Sequence, residues 1–194
     1  FSFMRDGPLD MRYDASAGES AAELVATRSE EELASIIREF GEERRARLIA
    51  RKLVAQRAHT PISTTSELAD VVRSVVPRQA GSGIDPATKT FQALRIAVND
   101  EMGSLAGLLA AIRYDAASWL SPDARVGIVS FHSLEDRMVK RAFAEMVDRD
   151  KAEHLTGKPV TAGETERDSN PRSRSAKLRA IRLNDSGTQP LEGL

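Results

Sequence analysis

Cysteine is absent from the chain. That excludes a disulfide framework and a thiolate nucleophile, and it suits a reducing, cytoplasmic setting. Histidine is scarce. His59, His132 and His154 are its three occurrences, far apart and without zinc-ligand spacing, so no metal site is expected. No run of about 18 apolar residues occurs, so no transmembrane helix and no membrane partner are expected. The opening residues, Phe-Ser-Phe-Met-Arg-Asp, lack the charged-then-apolar order of a signal peptide. They also lack an initiator methionine, and the two aromatics at the very start suggest a sequence cut from something longer. A large charge is missing too: the net value is −1, which argues against a uniformly basic nucleic-acid binder. What is present is 194 residues, 41 % of them hydrophobic, enough for one domain or one and a half with a packed core.

The charge is unevenly spread. Arg38 to Arg57 holds seven Lys/Arg against three Glu, and Arg167 to Arg182 holds six against one Asp. Each stripe reads equally as a solvated helix face or as a set of phosphate contacts.

Residues 1–18 read as loop, with Asp6-Gly7-Pro8 as turn chemistry and Gly18 as a further break. Ser20 with Glu23, Ser29 with Glu32 and Thr64 with Glu67 each have capping-box spacing. The second opens a helix with Leu33, Ile36, Ile37 and Phe40 at helical intervals, which Gly41 would end in the left-handed conformation. A helix from about Glu42 to Ala58 places Ile49, Leu53 and Val54 inward and Arg44, Arg47 and Arg51 on one outer face. Leu68, Val71, Val72 and Val75 follow, and Pro77 stops that helix. Pro77, Gly81 and Gly83 make a boundary. Asp85-Pro86 then predicts an N-cap with Pro at the first helical position, opening a helix with Phe91, Leu94 and Val98. Gly103 is expected to interrupt it, with Leu105, Leu108, Leu109 and Ile112 continuing to about Trp119.

The character changes after Ser121-Pro122-Asp123. Arg125 to Phe131 is short, apolar and β-branched, like a buried parallel strand. Ser133, with Asp136 three residues on, is expected to cap a helix carrying Met138, Val139, Ala142, Phe143 and Met146. The result is one β-α step of an α/β sheet, in which ligands gather at the carboxyl ends of strands. Residues 148–175 read as a flexible connection, Lys177 to Leu183 as a last strand, and 184–194 as a disordered tail.

Three clusters can carry chemistry. Ser130-Phe131-His132-Ser133-Leu134-Glu135-Asp136-Arg137 combines a strand end, a histidine, two hydroxyls and a helix N-terminus. A serine-hydrolase reading fails, because no Gly-x-Ser-x-Gly elbow surrounds Ser130 or Ser133. Phe1 to Arg12 interleaves aromatics with arginines, which either stack on a nucleic acid or tuck against a core through Phe1, Phe3 and Met4. Asn170 to Lys177 offers Arg172 and Arg174 to phosphate.

These clusters, in this order, resemble the ribosomal RNA cytosine-N4 methyltransferase family known as RsmH or MraW. Phe1–Arg12 is similar to one of its segments, and Asp85-Pro86-Ala87-Thr88-Lys89-Thr90-Phe91-Gln92-Ala93-Leu94-Arg95-Ile96-Ala97-Val98-Asn99 to its central helix. Ser130–Arg137 matches its Ser-Phe-His-Ser-Leu-Glu-Asp-Arg motif, and Asn170–Lys177 its Asn-Pro-Arg-Ser-Arg-Ser-Ala-Lys. The resemblance spans about residues 1–183.

It implies an α/β fold: the C-terminal part of a Rossmann-like, S-adenosylmethionine-dependent methyltransferase with an inserted all-helical subdomain. Residues 1–18 would form a loop near the active site, 19–82 the helical insertion gripping RNA, 83–183 the rest of the methyltransferase domain and 184–194 the tail. The implied activity is methyl transfer to the exocyclic N4 of a cytosine in small-subunit ribosomal RNA. Small-subunit ribosomal RNA or the small ribosomal subunit would be the partner, with a homodimer as a possible assembly. The Gly-rich loop, the ribose-holding acid and the Asp-Leu-Gly segment that bind the donor in this family do not occur here and are expected upstream of Phe1. The fragment alone is therefore expected to be inactive. Ser130, His132 and Ser133 are expected to line the pocket, with Asp10 and Arg12 as second candidates and Arg44, Arg47, Arg51, Arg172 and Arg174 as RNA contacts. The alternative from another class is a non-catalytic RNA-binding or ribosome-assembly module.

Overall fold

Hydroxyl side chains open three helices where their spacing predicts. In a computed structural model that describes residues 6–78 and 84–184, Ser20, Ser29 and Thr64 form reciprocal capping boxes with Glu23, Glu32 and Glu67. They start α1 (Ala21–Thr27), α2 (Glu30–Gly41) and α4 (Thr65–Val75). Each box satisfies backbone N–H groups that the first helical turn leaves without partners. Phe1, Phe3, Met4, Gly81, Gly83 and the tail from 185 onward lie outside the described residues.

The chain divides into two compact units, residues 1–101 and 102–194. In the first, α2 packs against α3 (Ala46–Arg57) and α5 (Thr88–Val98), and α3 packs against α4. Leu33, Ile37, Ile49, Leu53, Leu68, Val72, Phe91 and Leu94 share one buried core with Leu9 and Met11 from the opening loop. Burial of each such aliphatic or aromatic side chain stabilises by about 1.5–3 kcal/mol.

Local details differ from the expectations. Gly41 does not end α2 in the left-handed region; Glu42 does, at φ 49°. Gly41 is the last helical residue, and a Cβ there would lie 2.6 Å from the Lys89 carbonyl oxygen, so α5 requires glycine by close approach. The third helix starts at Ala46, because Glu42 has already broken the chain and Glu43 Oε1 accepts from Arg45 N at 2.9 Å in the connecting turn. Asp85 does not cap α5. It accepts from Ala87 N at 2.9 Å and from Arg73 Nη2 at 2.9 Å, one turn before the helix begins. The break expected at Gly103 falls instead at Asn99–Asp100, where Asp100 adopts φ 44°, and Gly103 lies inside α6 (Glu101–Asp115).

In the second unit α6 is followed by a 3₁₀ turn (Ala116–Ser118), then β1 (Arg125–Ser130) and α7 (Ser133–Asp148). The expected parallel strand is overturned. β1 pairs antiparallel with β4 (Lys177–Leu183), with Ser130 opposite Lys177 and Arg125 opposite Arg182. Its residues alternate, Val126 and Ile128 packing on the core while Arg125, Gly127 and Val129 face outward, as an antiparallel strand with one covered face allows. Residues 148–175 are not a loose connection. They contain β2 (Ala152–His154) and β3 (Val160–Thr161), both paired antiparallel to β4, then α8 (Glu164–Ser169) and a 3₁₀ turn (Pro171–Ser175). Leu109, Ile112, Val139, Phe143, Met146, Ile181 and Leu183 make this unit's own core. The chain is thus an α/β protein whose small sheet is antiparallel among the described residues.

Candidate functional site

The opening loop is stitched to the starts of two helices. Leu9 N donates to Ser63 O, Thr65 N to Gly7 O, and Ala21 N to Asp10 O, all within 2.7–2.9 Å. Leu9 and Met11 anchor it in the core. Met11 stands at φ 66°, in the left-handed region that a residue with a Cβ rarely occupies. This turn brings the side chains on either side of it together. Arg12 Nε and Nη2 donate to the two oxygens of Asp10 at 2.8 Å each, and Arg12 Nη1 donates to Gly18 O at 3.1 Å. The Arg12 hydrogen bonds hold the Asp10 carboxyl down to about 2 from its ordinary 3.8. Asp10 and Arg12 are therefore one unit, with the guanidinium largely engaged.

Asn99, to which the sequence pattern gave no role, closes on the same turn. Its Nδ2 donates to Met11 O at 2.8 Å, and its Oδ1 accepts from Tyr13 N at 2.8 Å. Glu101 accepts from the Tyr13 hydroxyl at 3.2 Å and from Arg95 Nε at 2.7 Å.

In the second unit, the two motifs around Ser130 and Lys177 meet through Asp136. Its carboxylate accepts from Arg179 Nε at 2.7 Å and from Lys177 Nζ at 3.3 Å. The Arg179 hydrogen bond, aided by Lys177, holds Asp136 below the ordinary carboxylate value against the opposing effect of burial. The cap of α7 is His132, not Ser133. His132 Nδ1 accepts from Glu135 N at 3.4 Å, while Glu135 Oε2 accepts from His132 N at 3.2 Å and from Phe131 N at 2.7 Å. With Nδ1 an acceptor, a neutral ring carries its proton on Nε2. Ser133 is the first helical residue and is exposed. Ser130 is 1 % exposed, and its Oγ is buried with no hydrogen-bond partner among the described residues. Phe131 between them is 53 % exposed. Arg172 and Arg174 are exposed on either side of Ser173, whose Oγ donates to Asn170 O at 2.8 Å.

On the first unit, Arg44, Arg47 and Arg51 are all exposed. Arg47 and Arg51 lie one helical turn apart on α3, with Lys52 also exposed beside them. Arg44 sits in the turn before the helix, so the expected three-residue face is a two-residue face plus a neighbour.

The sequence profile described as the MraW methylase family matches residues 1–184. The chain belongs to that family. Among its relatives, proteins named ribosomal RNA small subunit methyltransferase H are 49 % identical in Geotalea daltonii, over 93 % of this chain and 62 % of the relative. The same name applies to a protein of Granulibacter bethesdensis, 49 % identical over 98 % of this chain and 60 % of the relative. A third, from Methylobacterium sp. (strain 4-46), is 48 % identical over the full chain and 61 % of the relative. The chain thus spans about three-fifths of the length of the curated relatives it matches.

A methylase of this family implies a methyl donor, and the residues at the head of α7 do not fit one. The amides of Phe131, His132 and Glu135 are already paired within the capping box, and Glu135 and Asp136 make the first turn acidic. A donor carboxylate would meet occupied N–H groups and like charge there. No helix among the described residues is long and apolar enough to cross a membrane. The sequence pattern gave Asn99 no role, Glu135 no part in the cap, and Asp136 a place in a cap with Ser133; Asp136 instead pairs with Arg179 and Lys177. Their partners lie on other elements or, for Glu135, behind a histidine cap.

Proposed function

We propose that the whole protein transfers a methyl group from S-adenosylmethionine to the exocyclic N4 of a cytosine in small-subunit ribosomal RNA. The observation that carries this reading is membership of the MraW methylase family, joined to the name borne by relatives near 49 % identity. The donor is held outside these 194 residues. The 102–194 unit is part of a Rossmann-like sheet whose order continues beyond β1, and α1 to α4, within residues 19–82, are the insertion that grips RNA. The outward Val129 and Phe131, 49 % and 53 % exposed, support further packing at β1.

The amine of cytosine is a poor nucleophile, because its lone pair is delocalised into the ring. Hydrogen-bond acceptors around its N–H groups turn that lone pair toward the methyl, and position and electrostatics supply most of the rate. In this reading the Ser130–Ser133 loop borders the base, and the Asp10–Arg12 turn is the second candidate for that place. Arg47 and Arg51, with Arg44 beside them, and Arg172 and Arg174 contact phosphate. Unpaired or splayed bases are the target, since the base edge must be reached. The setting is the cytoplasm, where small ribosomal subunits are found.

The test is methylation of small subunits by the whole protein with a radiolabelled donor, followed by nuclease digestion and mass spectrometry. The expected product is N4-methylcytidine. Label on carbon 5 or on another base overturns the reading. RNA binding without methyl incorporation favours a non-catalytic assembly module, the second reading supported by the exposed cations of α3.

A further inference from the structure

The turn holding Asp10 and Arg12 is an uncomfortable one, since Met11 carries a Cβ at φ 66°. Something must hold it. The buried Met11 side chain does part of this, at 2 % exposure. The other part is Asn99. Its carboxamide spans the turn, Nδ2 donating to the carbonyl before Arg12 and Oδ1 accepting from the amide after it, both at 2.8 Å. The same Nδ2 donates to Arg95 O at 2.8 Å, which fixes the side chain against its own helix. Three of the hydrogen bonds open to an asparagine are made. The left-handed Asp100 then ends α5, so that Glu101 starts the next helix and receives the Tyr13 hydroxyl. Residues 99–101 thus grip residues 11–13 at three points.

We infer that Asn99 is a positioning residue, whose carboxamide fixes the left-handed turn at Met11 and thereby the placing of the Asp10–Arg12 pair at the acceptor site. The mechanical half of the inference stands on the hydrogen bonds alone. The catalytic half rests on the proposed reading that this turn borders the base.

Asn99→Ala removes all three side-chain hydrogen bonds, two of them to the turn. Asn99→Asp keeps the shape and the oxygen facing Tyr13 N, but sets an anionic oxygen against the carbonyls of Met11 and Arg95. In the whole protein, Asn99→Ala is expected to speed hydrogen exchange at the Tyr13 amide by about tenfold or more, with core amides such as Leu53 unchanged. Both variants are expected to lower kcat by about 5- to 150-fold, the equivalent of one positioning hydrogen bond, with the KM for the methyl donor unchanged. A residue that merely fills space would be spared by the isosteric Asp. If Asn99→Ala fails to fold, the Asp variant decides alone on the kcat and KM split. Unchanged Tyr13 exchange in a folded Asn99→Ala protein overturns the clamp. Faster exchange with wild-type kcat overturns the positioning role, provided that Arg12→Ala is impaired. If Arg12→Ala and Asp10→Asn both retain wild-type kcat, it is the reading of the turn as part of the site that fails, and the exchange measurement still decides the clamp.

Discussion

His132 is not among the residue types that usually cap helices, which is why local spacing assigned the cap to Ser133. The imidazole Nδ1 takes the role of a hydroxyl oxygen, and Glu135 completes the box. His132→Ala should therefore destabilise by about 0.5–2 kcal/mol, or about 2–4 °C in Tm for each kcal/mol in a chain of this size. His132→Asn should recover most of that, and Ser133→Ala should cost less than His132→Ala. Thermal melts of the three variants check this, and an Asn variant as unstable as the Ala one would show that ring packing matters more than the cap. The Asn variant is also the clean test of function, because it keeps the cap and removes the ring. If the ring touches the base edge, the methylation rate of His132→Asn should fall by about 5- to 150-fold in folded enzyme. Asp10 gives a second residue-scale expectation. Its carboxyl, held down by Arg12, should titrate at about 2 by NMR, and Arg12→Ala should return it toward 3.8. Because the folded value is the depressed one, the stability this pair contributes is complete above about 4 and is lost as pH falls toward 2. A titration midpoint near 3.8 in the unaltered chain would mean the pair does not form in solution.

At the scale of elements, what could be read in the sequence was what is local. Ser20/Glu23, Ser29/Glu32 and Thr64/Glu67 lie three residues apart, and each pair closes as a capping box. The strand over Lys177–Leu183 was also legible, but its neighbours were not. Pairing of β4 with β1, β2 and β3 joins residues that the chain separates, and no local pattern states whether such a pair runs parallel or antiparallel. The short strands inside 148–175 were hidden by their polarity, since β3 is exposed on both residues. The start of α3 bears on the proposed RNA contacts. Arg47 and Arg51 share a helix face and Arg44 does not. Replacing Arg47 and Arg51 with Ala in the whole protein should weaken RNA binding and flatten its salt dependence, by roughly 0.7–0.9 in the log–log slope for each phosphate left without its cation. Arg44→Ala should change the slope by no more than one such step. Binding measured across a salt series decides it, and an unchanged slope in the double variant would make the stripe a solvated surface.

At the scale of the molecule, the two units have separate cores, one drawn from residues between Leu9 and Val98 and the other from residues between Leu105 and Leu183. Both match the family profile, which runs to residue 184. That the chain takes up about three-fifths of its relatives' length bears directly on where the methyl donor is held. A nucleoside with a charged amino-acid tail can be held by free backbone N–H groups at its carboxylate and by an acidic group at its ribose. Glycine-rich strand-to-helix loops supply the first in dinucleotide-binding sheets, and no such loop occurs among the described residues. Among the described residues, the β1-to-α7 step has its Phe131 and His132 amides closed by Glu135 and an acidic first turn. Residues 1–194 alone should therefore give no saturable heat with S-adenosylmethionine in the micromolar range, while circular dichroism of the same sample shows folded helix. The whole protein, titrated under the same conditions, should bind. Micromolar binding by the 194-residue chain would place the donor site within these residues and overturn the assignment. Absence of binding by the whole protein as well would remove the methyl-transfer reading and leave RNA binding through α3 as the activity to measure.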